Sequence, residues 1–120
     1  MLQFSLLGSG SSGNAIVLRS THATILIDNG LSFKQLSLRA KAVGIPLESL
    51  SAIVVTHEHG DHVQGIGVLT RKMPIPVYMT HGTYANLPST LGTLGEIIPF
   101  EAGERWEIGD MLIQSFSVSH

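Results

Sequence analysis

The 120-residue sequence contains no cysteine. A closed, thiolate-ligated zinc site of the structural kind is therefore excluded, and no disulfide framework can hold the fold together. The Gly-x-Ser-x-Gly pattern that presents a serine nucleophile is also absent. Neither a cysteine nor such a serine is thus available for covalent catalysis.

Charge is scarce as well, since charged residues make up 13% of the sequence and hydrophobic residues 43%. This balance predicts that something covers part of the surface. Seven Lys and Arg against nine Asp and Glu give a formal net charge of −2. With no overall basic field, a nucleic-acid substrate would have to be held by local contacts and by metal ions.

Long apolar runs are missing too, because no stretch approaches the roughly 20 residues of a membrane helix. The amino terminus also lacks the basic, apolar and small-residue segments of a secretion signal. We therefore expect a cytoplasmic protein with no membrane partner.

What the sequence does contain is a dense group of metal-binding side chains directly after the apolar run 52–55. They are His57, His59, Asp61 and His62. Imidazole nitrogens together with a carboxylate oxygen suit zinc first, with manganese or iron as alternatives. Packing and solubility do not call for such a cluster, so the sequence predicts a strand that leads into a metal-binding loop.

The spacing differs from the helical motif of zinc proteases, because the residue four after His57 is aspartate rather than histidine. Alternate side chains of an extended segment point the same way, so His57 and His59 can share one metal. Gly60 permits a sharp turn, which can bring Asp61 and His62 to a neighbouring position. The pattern therefore predicts two adjacent divalent metal ions.

The sequence predicts a mixed α and β chain, because apolar and β-branched runs alternate with glycine, proline and capping residues. A short apolar run at 2–7 comes first. Expected strands cover 15–18, 24–27, 50–55, 77–79, 96–100, 105–108 and 111–118. Three helices are expected: one that Ser32 caps and that extends to position 43, one over 62–72, and a short one that begins in 82–86.

Other polar features have two interpretations each. His22 in a turn and His81 after a strand are typical of lone histidines that bind nothing. The glycine-serine loop 8–14 is similar to a phosphate cradle, but it lacks the Gly-Lys-Ser/Thr ending of a P-loop and precedes a strand. Asp28 ends a strand, where it can cap the next helix or accept a hydrogen bond that orients the metal loop.

At this point the residues resemble those of a known family. The motif His57-x-His59-x-Asp61-His62 after a buried strand, with Asp28 ending an earlier strand, resembles the metallo-β-lactamase superfamily of metal-dependent hydrolases. Segments 6–15, 27–30 and 61–66 are similar to its WalJ/YycJ-type branch, a bacterial group of exonuclease-like phosphodiesterases. The resemblance runs the whole length, and the metal motif is its most specific part.

The resemblance implies an α/β (α+β) fold, namely half of a four-layer αββα sandwich. Its sheet would be mixed and mostly antiparallel, with helices on one face. Residues 1–120 would form the amino-terminal part of a single domain whose carboxyl-terminal half is absent.

The resemblance also implies a distribution of metal ligands. His57 and His59 would bind the first metal together with His120, while Asp61 and His62 would bind the second. Asp61 would in addition act in catalysis by orienting a metal-activated hydroxide. A bridging aspartate and a last histidine belong to the other half in this family, so the second site would be incomplete here.

The implied function is hydrolysis of DNA phosphodiesters by a 5′-3′ exonuclease. One alternative is the same metal chemistry on a thioester or a lactam, but those branches usually have Gly-Gly soon after the last histidine, and Val63-Gln64-Gly65 follows His62 here. Another is an inactive metal-binding fragment that self-associates or pairs with its missing half, because half a sandwich exposes an apolar sheet face.

Overall fold

Residues 2–116 are described by a computed structural model, in which a six-stranded sheet carries helices on one face and a hairpin on the other. The sheet consists, in spatial order, of β1 (Gln3–Gly8), β2 (Ala15–Arg19), β3 (Thr24–Ile27), β4 (Ala52–Val54), β5 (Val77–Thr80) and β6 (Ile97–Phe100). The hairpin pairs β7 (Arg105–Ile108) with β8 (Met111–Gln114).

The helices are α1 (Phe33–Ala42), α2 (Gly60–Val63), α3 (Ile66–Lys72) and α4 (His81–Ala85), with 3-10 turns at Leu47–Ser49 and Ser89–Leu91. Within residues 2–116, none of them is long and apolar enough to cross a bilayer. Most of the predicted elements are therefore confirmed, and the apolar run 2–7 becomes part of the edge strand β1.

The sheet is mixed, as predicted, but its pairing is not mostly antiparallel. Strands β1 to β3 pair antiparallel, whereas the three pairs from β3 to β6 are parallel. The physical reason lies in the connections, because tight turns can only reverse a strand, while a helical crossover returns the chain in the same direction. Helices α1 to α4 provide the crossovers that follow β3, β4 and β5.

Alternate side chains of the strands enter two separate cores, as expected from the pleat of a β-strand. On the helical side, Leu26 and Ile53 pack in one cluster with Leu36 of α1 and Leu69 of α3. On the other side, strand residues such as Ile25 and Ala52 cluster with apolar residues of the hairpin. The helical core is the larger, and it fixes the ends of the strands that carry the site.

Helix α1 begins as predicted, because the Ser32 side chain accepts a hydrogen bond from Gln35 N at 3.2 Å. Leu36 and Ala40 are its buried positions. It ends before Gly44, whose φ of 74° is readily adopted by glycine.

The sequence predicted one continuous helix over 62–72, and this was wrong because the helix is interrupted at Gly65. Gly65 N donates to Asn29 O at 2.9 Å, and a Cβ atom at Gly65 would lie 1.9 Å from Leu31 O. The chain breaks there so that its backbone can pack against the segment after β3. Helices α2 and α3 therefore replace one continuous helix.

The hairpin closes on Gly109 and Asp110, as the sequence predicted. The Ser20 hydroxyl donates to the Asp110 carboxylate, which lowers the pKa of Asp110 and ties the hairpin to the β2–β3 turn. Trp106 packs against Phe100 with ring centroids 4.4 Å apart. The last predicted strand, 111–118, is confirmed to position 114, and positions 117 and 118 lie outside the described residues.

Candidate metal centre

The site lies at the edge of the sheet where parallel strands end. Ile27 of β3 pairs with Val54 of β4, so the two strands finish side by side. Asp28 follows the first strand directly, and Thr56 and His57 follow the second. Parallel pairing therefore places residues from separate parts of the chain at one crevice, which is the usual position of a site in sheets of this type.

Asp28 organises the crevice from within. Its side chain is buried, and its backbone φ of 61° lies in the left-handed region that only a few non-glycine residue types tolerate. The carboxylate accepts hydrogen bonds from Thr56 N at 2.7 Å and from the Thr56 hydroxyl. It also lies 2.7 Å from Nδ1 of His62. Three donors thus converge on one buried carboxylate.

These hydrogen bonds determine which ring nitrogens carry protons. A carboxylate only accepts, so His62 Nδ1 must donate to Asp28, and the lone pair of His62 then lies on Nε2. The Thr56 hydroxyl donates its one proton to Asp28. Its oxygen, 3.0 Å from His57 Nδ1, therefore accepts a hydrogen bond from that nitrogen. Both imidazoles therefore present Nε2 as the metal-binding atom, in the arrangement common among metal-ligating histidines.

The structure places the four motif residues beside the crevice, and within residues 2–116 the compact group of ligand atoms contains His57 and His62 but not His59 or Asp61. The rings of His57 and His62 have centroids 4.8 Å apart, and those of His57 and His59 have centroids 5.9 Å apart. His62 Nε2 lies 3.9 Å from Asp61 Oδ2. His59 is the residue that precedes α2, and its carbonyl accepts from His62 N at 2.8 Å. One short helical turn after β4 therefore keeps all four residues close to one another.

The donor set fits a divalent transition metal. One ligand atom each of His57, His62 and Asp28 lie within 4.8 Å of one another. Asp28 already accepts from Thr56 and His62, so the metal-binding atoms of this group are those of the two histidines. Bond lengths of about 2.0–2.2 Å to nitrogen and oxygen mean that one ion can bridge atoms up to about 4.3 Å apart, so His62 Nε2 and Asp61 Oδ2 meet this limit. Nitrogen and oxygen donors without thiolate suit a catalytic rather than a structural zinc site.

Sequence reasoning missed three residues that hold the metal loop. Thr56 connects Asp28 to His57 through its hydroxyl. Asn29 is fully buried, and its backbone N–H donates to His62 O at 2.7 Å. Asn14, at the end of the glycine-serine loop, contacts both the backbone and the carboxylate of Asp61. Sequence proximity alone could have pointed to two of them, because Thr56 precedes His57 and Asn29 follows Asp28.

The remaining histidines are not part of this group of side chains within residues 2–116. His22 is exposed in the β2–β3 turn, at the end of the sheet opposite the crevice. His81 is exposed at the start of α4, with Nε2 3.4 Å from Glu101 Oε1. The predicted ligand His120 lies outside the described residues, so its position is not part of this geometry.

Comparison with known proteins identifies bacterial relatives of this chain. The chain is 37% identical over 121 residues to exodeoxyribonuclease YycJ of Bacillus anthracis, an alignment that covers 99% of this chain and 46% of the relative. It is also 37% identical over 123 residues to exodeoxyribonuclease WalJ of Streptococcus pneumoniae, covering 98% of this chain and 45% of the relative. The chain thus spans about half the length of these curated relatives.

Solved structures show the same fold. The Rm3 metallo-beta-lactamase superposes with a TM-score of 0.74 at 20% sequence identity, covering 91% of this chain and 46% of that one. The family model of the metallo-beta-lactamase superfamily matches residues 8–114, which include the whole crevice. The chain therefore belongs to the metallo-beta-lactamase superfamily.

Proposed function

We propose that the intact protein is a metal-dependent phosphodiesterase, a 5′-3′ exonuclease that acts on DNA. The observation that carries this proposal is the convergence of His57, His59, Asp61 and His62 on the crevice organised by Asp28. The relatives named exodeoxyribonuclease support the choice of DNA as substrate. Since those relatives are bacterial, the proposed location is the cytoplasm, where bacterial DNA lies.

The proposed site holds two divalent ions, with zinc as the first choice. His57 and His59 would hold one ion, and Asp61 and His62 the other. When bound, such ions supply Lewis acidity to the phosphate and lower the pKa of the attacking water. Asp61 would also orient that water, while Asp28 keeps His62 in the tautomer that presents Nε2. No side-chain nucleophile is needed in this scheme.

Replacing His59 with alanine is expected to lower exonuclease activity of the full-length protein by more than about 100-fold. Loss of a residue that hydrogen-bonds to a metal ligand typically costs about 10–100-fold in activity, and loss of the ligand itself should cost more. The measurement is release of nucleotides from a DNA end at saturating zinc or manganese. His22→Ala is the matched control, since His22 is exposed at the opposite end of the sheet. Activity retained by His59→Ala would contradict the proposal.

The sheet also has a partly uncovered apolar face. Phe4 and Leu6 on β1 are 67% and 57% exposed, and they pair with the half-buried Leu18 and Ile16 of β2. Contiguous apolar surface of this kind favours association. Because the relatives are about twice as long, we propose that residues 1–120 form one half of a single domain and that the other half covers this face.

An isolated polypeptide of residues 1–120 is therefore expected to self-associate at micromolar concentration. Sedimentation velocity would show species larger than a monomer, because the apolar face would be buried between copies. The double variant Phe4→Lys, Leu6→Lys should shift the polypeptide towards the monomer. A stable, soluble monomer of the unaltered polypeptide would argue against a covered face.

A further inference from the structure

We propose that Asn14 is the positioning residue for Asp61, a role that rests on the proposed use of Asp61 as a metal ligand. Asn14 ends the glycine-serine loop, 47 residues before Asp61 in the sequence. Its side-chain amide donates to Asp61 O at 3.1 Å and to Asp61 Oδ2 at 3.2 Å. The loop that could have been a simple flexible turn is thus attached to a motif carboxylate.

The orientation of the Asn14 amide is fixed by its surroundings. Gly10 N donates to Asn14 Oδ1 at 3.1 Å, so the oxygen must face Gly10 and the nitrogen must face Asp61. The amide hydrogens are then shared among Asp61 O, Asp61 Oδ2 and Gly10 O, the last at 3.1 Å. Rotating the amide by half a turn would bring its oxygen against the Asp61 carboxylate.

The backbone of Asn14 is held as firmly as its side chain. Asn14 N donates to Asp61 O at 2.7 Å, and Asn14 O accepts from Gly30 N at 3.0 Å. These bonds join the glycine-serine loop, the segment after β3 and the metal loop at one point. The side chain therefore starts from a fixed Cα position, which is the condition for holding a neighbouring group in one orientation.

Asp61 needs such a restraint. Its side chain is 34% exposed, so water competes for its oxygens. Terminal torsions of carboxylates are broad and permit rotation. The amide of Asn14 holds Oδ2, the oxygen that lies 3.9 Å from His62 Nε2. The ligand pair proposed for the second metal is thereby set before the metal binds.

Asn14→Asp in the full-length protein tests this role. The change keeps the side-chain shape, removes the donors and places a second carboxylate beside Asp61. Zinc affinity is measured by competition with a chelator. Of the two zinc equivalents, we expect one to bind about 10–100-fold more weakly and the other to keep its affinity. Residues that hydrogen-bond to metal ligands typically have effects of this size. The matched control is Asn86→Asp, an exposed asparagine after α4, which should change neither.

The outcomes separate positioning from a structural role. Asn14→Ala removes the donors without adding charge, so it provides the test if Asn14→Asp does not fold. A purely structural role would lower the unfolding temperature of the metal-free protein and leave both zinc affinities unchanged in the folded variants. That result would overturn the proposal for Asn14 while leaving the metal site intact. An unaltered protein that binds no zinc would instead refute the proposed function itself.

Discussion

Replacing Gly30 with alanine is expected to lower the free energy of unfolding by about 3 kcal/mol, the upper part of the range for overpacked sites. A Cβ atom at Gly30 would lie 2.0 Å from Asp61 O and 2.4 Å from Asp61 C. Both are backbone atoms, so no side chain can rotate away to make room. The metal loop would have to separate from the segment after β3, breaking the hydrogen bonds that hold it.

Chemical denaturation of the full-length protein measures this effect, and Gly82→Ala is the matched control. Gly82 lies in α4, and a Cβ atom there would meet nothing within 4 Å. Alanine is favoured over glycine in a helix by up to about 1 kcal/mol, so this variant should be neutral or more stable. Equal stability of the two variants would show that the close backbone approach at Gly30 is absent in solution.

Replacing Asp28 with asparagine is expected to weaken zinc binding by about 10–100-fold, as for other groups that orient metal ligands. Asparagine tolerates the φ of 61° found here, so the backbone need not change. The altered side chain has one acceptor oxygen for the donors on Thr56 and His62. Its amide group must face at least one of those donors, so the hydrogen bonds that together hold Thr56 and His62 cannot all persist.

The measurement is a chelator competition with the full-length protein, performed beside Asp110→Asn. Asp110 is an exposed aspartate in the hairpin turn, bonded to Ser20 near the other end of the sheet. The same chemical change should leave zinc affinity unaltered there. Unchanged affinity in Asp28→Asn would mean that the carboxylate does not hold the ligands, and that its burial has another cause.

Local sequence signals predicted the elements well where short-range interactions decide the structure. The Ser32 cap, the turn at Gly109 and the apolar run before the metal motif all depend on neighbours in the chain. The prediction of a continuous helix past Gly65 was wrong because the deciding contact is with the carbonyl oxygen of Leu31, which is far away in the sequence. Tertiary packing overrides local helix propensity in such places.

The candidate ligands could be proposed from the sequence, but the residues that support them could not. His57, His59, Asp61 and His62 stand within one short segment, and their residue types alone indicate metal chemistry. The contact between Asn14 and Asp61 arises only after the strands are ordered in the sheet. No periodicity or composition in a single sequence contains that order, so this hydrogen bond could only be found in the structure.

Anomalous diffraction from crystals of the full-length protein grown with zinc would show whether the crevice binds metal. We expect density peaks at the zinc absorption edge within bonding distance of His57 Nε2 and His62 Nε2, where hydrogen bonds to Nδ1 leave the lone pairs. Absence of any peak in the crevice, or peaks confined to other histidines such as His22 or His81, would contradict this expectation.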